Sequence, residues 1–232
     1  MKLNSVELEG KGRYYQSPTT LRWYPSVTTV VNHEMEDFWR EWRKNPQNLA
    51  NSKKALARGN RLHQVMEDYL GENKTIPTDP FDRMKFDLLK PCLDKIGKIR
   101  AIETSMWSDK ILLAGRVDCI AEYDGKLAVV DFKTAGKDKS KDQILNYFHQ
   151  TTAYAYMWNQ NYDQDDLIER VVILIVTDDG TIQEFVEDPS DYKKSMFDVI
   201  KTYWDKNSSS DYSVRVKCCR QQKLKSIIVF VS

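Results

Sequence analysis

The chain has 232 residues and a net charge of +1, with 41% hydrophobic and 30% charged residues, the usage of one globular domain with a sizeable core. It contains no apolar run of about 18 residues or more, so a helical membrane span is excluded. The opening MKLNSVELEG lacks a signal-peptide core and the Arg-rich, acid-poor character of a transit peptide, so a cytoplasmic protein of a bacterial or phage-infected cell is expected.

In chain order, residues 27–49 and 53–71 are predicted to be helices that precede and cover a sheet. In the second, Leu56, Leu62, Val65, Met66, Tyr69 and Leu70 carry the helical period, and His63 and Glu67 fall at i and i+4. A helix over 81–96 follows, with Pro91 expected to bend or end it. Strands are predicted at about 98–107, 110–123 and 126–133. The last two are joined by Asp124-Gly125, the dipeptide that a two-residue hairpin turn favours because both positions take φ > 0. A helix from about Gln143 to Asn159 places Gln150 and Tyr154 on one side. RVVILIVTDDGTIQEFVED reads as a buried strand, a second Asp-Gly turn at Asp179-Gly180 and an edge strand, and Pro189 opens a final amphipathic helix. The expected class is α/β: a central mixed sheet flanked by helices, with a helical N-terminal part over about 27–96 and a core over about 98–206. Asn207-Ser208-Ser209-Ser210-Asp211 has a linker composition, so 207–232 is a tail without an assigned role, and its apolar end IIVFV is an aggregation hazard if exposed.

The chemistry concentrates in GRVDCIAEYDGKLAVVDFKTA. The hairpin folds Asp118 and Asp131 towards each other, and two carboxylates at one sheet end repel unless a cation separates them; hard oxygen ligands suit Mg²⁺ or Mn²⁺. Lys133, two residues beyond Asp131, shares its face of the strand. This outlines a metal-dependent phosphodiesterase site, whereas Asp131 and Lys133 taken alone also fit an ordinary strand-end ion pair. A neutral His63 can complete a metal shell, although a half-buried structural histidine is the plainer reading. Glu67 and Glu103 are further candidates. Cys119 should face away from Asp118, into the core.

Arg58-Gly59 with His63, then Glu103, Gly115 with Asp118, Asp131 with Lys133, and Gln150 with Tyr154, in that order, resemble the RecB-type branch of the PD-(D/E)xK nuclease superfamily. The segment from Tyr24 to Val31, a Trp-rich basic helix and RGNRLHQVMEDYL are similar to the mitochondrial genome maintenance exonucleases and their phage and bacterial relatives. The resemblance covers roughly residues 20–205. It implies a restriction-endonuclease-like core in which Asp118, Asp131 and His63 hold the metal with the Phe132 carbonyl. It also makes Lys133 the catalytic lysine and has Gln150 and Tyr154 support the lysine and the substrate phosphate. Some relatives carry four cysteines for an iron–sulfur cluster. Cys92, Cys119, Cys218 and Cys219 lack that grouping, so neither a cluster nor a disulfide framework is expected.

Charge distribution adds the substrate class. Between Arg40 and Arg61 seven basic residues (Arg40, Arg43, Lys44, Lys53, Lys54, Arg58, Arg61) face the single acid Glu41. Trp39 and Trp42 begin that stretch, where rings can stack on unpaired bases while cations track the backbone; core placement is the competing reading. Lys137, Lys139 and Lys141 are expected on a loop near the site entrance. A low total charge with a focused basic lining fits threading of single-stranded DNA from a free end. The expected protein is a monomeric deoxyribonuclease of replication, recombination or repair, with partner proteins from those processes. The alternatives are an endonuclease or adaptation factor on the same fold, a non-catalytic nucleic-acid-binding subunit, and an RNA substrate.

Overall fold

Asn45-Pro46 decides how the first third of the chain folds. Proline disfavours a helical conformation in the residue before it, and Asn45 is extended (φ −71°, ψ 125°) and caps the next helix through Gln47 N–H. The helix expected over 27–49 is therefore three pieces: α1 (Val27–Val31), capped by Ser26, a 3₁₀ turn (His33–Met35), and α2 (Glu36–Trp42). The helix expected over 53–71 starts earlier, as α3 (Pro46–Leu70). In this computed structural model residues 2–71, 74–161 and 166–221 are described, with side chains through residue 207.

Ahead of these helices lies an antiparallel sheet absent from the sequence reading, β1 (Ser5–Leu8), β2 (Gly12–Gln16) and β3 (Trp23–Pro25). Gly10 and Gly12 both take positive φ, 69° and 79°, which lets the chain reverse between β1 and β2. α4 (Pro80–Leu93) has Pro80 in its first turn, Asp79 as its cap and Pro91 inside its last turn, after which it ends as expected.

The central sheet runs in the order β4 (Ile96–Ser108), β5 (Leu113–Tyr123), β6 (Lys126–Ala135), β7 (Arg170–Thr177), β8 (Ile182–Glu187). Every neighbouring pair is antiparallel except β6 and β7, which are parallel. The β5–β6 turn takes φ of 47° at Asp124 and 75° at Gly125, as the Asp-Gly signal requires. In the β7–β8 turn only Gly180 is positive, at 88°, and Gly180 N–H bonds to the Thr177 carbonyl. That is a three-residue loop with glycine at the bulge position rather than a second two-residue turn. The parallel step needs a crossover, supplied by α5 (Leu145–Asn161).

β7 is buried on both faces. Val171, Ile173 and Ile175 join the layer under α1, α5 and α6 (Pro189–Gln221), while Val172, Leu174 and Val176 join the layer under α3 and α4. Cys119 lies in the second layer with no exposed surface, as expected. The α6 backbone is helical through Gln221, across the stretch 207–211 whose composition reads as a linker. The side chains of Cys218 and Cys219 and the segment IIVFV lie outside the described residues. Among the described residues no helix is long and apolar enough to cross a membrane.

One carboxylate gathers much of the hydrogen bonding that fastens the N-terminal sheet to the core. Asp109, in the β4–β5 turn, accepts hydrogen bonds from Ser17 (2.8 Å), Thr19, Thr20 and Tyr24 (2.6 Å). Burial alone would raise its pKa, but these donors depress it below the ordinary carboxylate value. Its contribution to stability is therefore present above the unfolded-state pKa and is lost as pH falls through the depressed one. Asp109→Ala should cost about 1.5–3 kcal/mol in urea unfolding at neutral pH, the worth of hydrogen bonds to a charged group, and the difference from the parent should shrink in acid.

Candidate active site

Two networks meet where β5 and β6 diverge: one pairs Asp118 with a cation from α3, the other pairs Asp131 with a cation from its own strand. On β5, Asp118 accepts a hydrogen bond from Phe132 N–H at 3.0 Å and lies 3.3 Å from His63 Nδ1. The same imidazole nitrogen is 3.6 Å from Glu103 on β4, whose other oxygen is 2.6 Å from Arg116 Nε. On β6, Asp131 is 2% exposed; its Oδ1 accepts from Gln150 Nε2 at 3.0 Å, and its Oδ2 lies 2.5 Å from Lys133 Nζ. That last contact is an ion pair without hydrogen-bond alignment, so Asp131 Oδ2 is buried with no hydrogen-bond donor.

Helix and strand periodicity explain the convergence. α3 buries Leu62 and Met66 against the sheet, and His63 follows Leu62 at the edge of that face. Arg116 and Asp118, like Asp131 and Lys133, are two apart on a strand and project to one side. α5 presents Gln150 and Tyr154 one turn apart. Glu103 reaches the site from a residue with φ of 45° inside a strand, a conformation that costs a non-glycine residue about 1–3 kcal/mol and clusters at functional sites.

The charges are interdependent. Burial lowers the His63 pKa, but hydrogen bonds to Asp118 and Glu103 raise it more, to about 10. His63 is thus an imidazolium at neutral pH. Its contacts stabilise fully below the ordinary histidine pKa and are lost as pH rises through about 10. Burial would raise the Asp118 pKa, yet His63, Lys133 and the Phe132 N–H hold it below the ordinary value. At Asp131 burial prevails over the attraction of Lys133, lifting the carboxyl to about 6. Lys133 itself is raised, the pull of Asp131 and Asp118 exceeding the cost of burial.

His63, Glu103 and Asp118 each offer a donor atom within 4.8 Å of the others. One imidazole nitrogen and two carboxylate oxygens form a set that Mg²⁺ or Mn²⁺ accepts. The sequence reading paired Asp118 with Asp131 and left Glu103 as an extra. The geometry instead groups Glu103 with His63 and Asp118, while Asp131 is engaged by Lys133 and Gln150. Glu67 lines the cleft above but lies outside the three-residue group. The Phe132 ring is in the core, as expected.

The site floors a cleft of about 1270 Å³, walled by the β1–β2 hairpin on one side and by α2 and α3 on the other. Its lining holds eight carboxylates and six lysines or arginines, so the focused basic lining expected from the sequence is not found. Of the cations assigned to the strand, Arg40 lines the cleft; Arg43, Lys53, Lys54, Arg58, Arg61, Lys137 and Lys139 do not. Several are already paired: Arg43 with Glu36, Arg58 with Asp178, and Arg61 with Asp82 and Asp79. The lysine loop is tied to edge strand β8, through the Lys139 backbone on Gln183 and Lys141 on Glu187. α2 has no buried residue, so Trp39 and Trp42 are not core; they meet edge-on, 5.6 Å apart, with Trp39 39% exposed. Sequence reasoning missed Arg116 and the hairpin wall. The Gly10-Lys11-Gly12 turn between short alternating runs was the available signal for the wall.

A sequence model described as the PD-(D/E)XK nuclease superfamily matches residues 28–221. Among curated proteins the chain is similar to mitochondrial genome maintenance exonuclease 1 of Homo sapiens, 28% identical over 55% of this chain and 35% of that protein. The same protein of Mus musculus is 29% identical over 60% and 45%, and that of Xenopus tropicalis 26% over 68% and 49%. The chain therefore spans at most about half the length of these relatives. A crystal structure from Eubacterium rectale aligns over 89% of this chain and 77% of that one, at 13% identity and a TM-score of 0.39.

The close approach of β5 and α5 yields a test that needs no substrate. A Cβ added at Gly115 would lie 2.5 Å from Tyr154 Oη and 3.0 Å from its Cε1. Gly115→Ala should destabilise by about 1–3 kcal/mol, the range for overpacking a core. Adding Tyr154→Phe, which removes the nearest atom, should restore part of the loss. Additive effects in the thermal melts of the double mutant would mean that the two residues are not in contact.

Proposed function

The chain belongs to the PD-(D/E)XK nuclease superfamily, and from that premise we propose that it is a metal-dependent exonuclease degrading single-stranded DNA from a free end. The observation that carries this reading is the meeting of two networks, His63–Glu103–Asp118 and Lys133–Asp131–Gln150, at the floor of a two-walled cleft. A cleft bounded by the β1–β2 hairpin and by α2–α3 suits a strand entered by its end.

In the proposed reaction the substrate is a phosphodiester. Water's oxygen forms a bond to phosphorus, the bond to the 3′ oxygen breaks, and the products are a 3′ hydroxyl and a 5′ phosphate. His63, Glu103, Asp118 and Asp131 hold the divalent cation, together with the Phe132 carbonyl; bound there, Mg²⁺ or Mn²⁺ supplies Lewis-acid polarisation of the phosphate and acidifies water. Lys133, held beside Asp131, orients the attacking water and offsets charge developing on the phosphate. Gln150 fixes the Asp131 carboxylate, and Tyr154 packs beneath Gly115. The exposed Phe38 and Trp39 on α2, with Trp42 and the exposed Lys53 and Lys54 on α3, form an outer surface on which unpaired bases stack. The similarity to genome maintenance exonucleases supports a place in DNA replication or repair.

End-labelled linear single-stranded DNA should be consumed, and a circular single strand spared, in Mg²⁺ or Mn²⁺ and not in EDTA. Lys133→Ala and Asp131→Ala should each abolish turnover while leaving the far-ultraviolet spectrum unchanged. Cleavage of the circle would point to an endonuclease. Failure on both DNAs would favour RNA or a binding role, and full activity in Lys133→Ala would remove the lysine from the mechanism.

Metal affinity should also follow the charge on His63. A cation and the imidazolium proton compete for the same nitrogen, so apparent affinity should rise roughly tenfold per pH unit between about pH 6, above which Asp131 is ionised, and about pH 10, for the one proton released. His63→Ala should raise the metal concentration needed for activity and flatten that slope in calorimetric titrations. A variant with lower thermal stability but an unaltered metal requirement would make His63 structural.

A further inference from the structure

Resting on that reading, we propose that Tyr147 is a positioning residue for Lys133: the face of its ring, 5.2 Å from Lys133 Nζ, holds the ammonium over the reacting phosphate. Tyr147 belongs to none of the motifs singled out in the sequence. It lies three residues before Gln150 and seven before Tyr154, so α5 sends one stripe of three residues to the site rather than two.

The geometry around Lys133 explains why such a residue is needed. Its stem has four rotatable bonds, and Nζ is joined to Asp131 by an ion pair without hydrogen-bond alignment. When Asp131 is drawn to a cation, the attraction holding the ammonium weakens, because the carboxylate charge is then shared. The ring is a partner that persists in both states: its negative π face attracts the ammonium without ligating a metal. Tyr147 is partly buried and packs on the layer beneath α5, so the ring is a fixed surface. Lys133 lines the cleft with 17% of its side chain exposed.

Two substitutions separate the ring from its bulk. Tyr147→Phe keeps the π face and Tyr147→Leu removes it. On linear single-stranded DNA with saturating Mn²⁺, Tyr147→Leu should lower kcat by about tenfold to a hundredfold, the scale of a misplaced catalytic group, with KM unchanged, while Tyr147→Phe stays within about threefold of the parent. Equal losses in both variants, or an unaltered kcat in the leucine variant, would overturn the proposal. Should the leucine variant fail to fold, Tyr147→Met takes its place.

A second measurement does not depend on cleavage. In protein labelled with ¹³C-lysine and assigned by Lys133→Arg, the Lys133 ε-methylene protons should be shifted upfield by the ring current, retained in Tyr147→Phe and lost in Tyr147→Leu. The absence of that shift in the parent would sink the proposal. If the parent leaves DNA and RNA intact yet shows the shift, the nuclease reading fails while the contact between ring and lysine stands.

Discussion

Asp118 and Asp131 hang from neighbouring strands in a fork almost closed to water, and a low-dielectric fork does not tolerate two uncompensated carboxylates. The chain answers with one cation for each: the His63 imidazolium on Asp118 and the Lys133 ammonium on Asp131. Much of the architecture follows from that requirement. His63 arrives only because α3 crosses the sheet on one side. Gln150, which fixes the second carboxylate, arrives only because α5 lies on the other. The compensation is unequal: Asp118 is held below the ordinary carboxylate pKa, whereas Asp131 is lifted to about 6. An imperfectly compensated carboxylate costs stability, and on the proposed reading that cost is what a bound cation would relieve.

The parallel pairing of β6 with β7 is what allows α5 to reach the fork. An antiparallel return needs only a short turn, as between β5 and β6, and such a turn cannot bring a helix back over the carboxylates. The crossover from Ala135 to Arg170 lays α5 along β6, and the apolar run 171–176 of β7 completes both core layers. Local strain is confined to where the chemistry gathers. Glu103 takes a left-handed conformation within β4, after the register shifts between Ile96 and Ala101, and in doing so delivers its carboxylate to His63 and Arg116.

The parts of this arrangement legible in the sequence are those fixed by local rules. Asp124-Gly125 set the hairpin, period-2 alternation put Asp131 and Lys133 on one face, and the apolar run at 171–176 announced a strand buried on both sides. What escaped was set by tertiary context. Nothing local distinguishes Glu103 from an ion-pairing residue of a strand, because its role depends on a positive φ that only the folded sheet enforces. The basic run from Arg40 to Arg61 looked like a strand-binding lining because sequence shows the cations but not Asp178, Asp79 and Asp82, distant in the chain, which neutralise several of them. The helix boundary at Asn45 was legible from Pro46, which disfavours a helical conformation in the residue before it, although the sequence reading carried the helix on to residue 49.

The composition of the cleft constrains how a polyanion can be held there. With eight carboxylates against six lysines and arginines on its walls, the cleft does not attract a phosphate backbone by net charge, and several of those cations already serve acids of the same wall. On the proposed reading, the strand's charge is met at two separated places. One is the floor, where Lys133, Arg116 and a bound cation would converge; the other is the outer surface of α2 and α3, where Phe38 and Trp39 on α2 and Lys53 and Lys54 on α3 are exposed. Acidic walls between two attractive ends disfavour the lateral approach of a duplex, which brings a second row of phosphates against them. They interfere less with a single strand, whose one backbone can follow the floor while its bases face the walls. On the proposed reading, a protein of net charge +1 favours single strands without a basic groove, because selectivity would arise from where the wall charge repels.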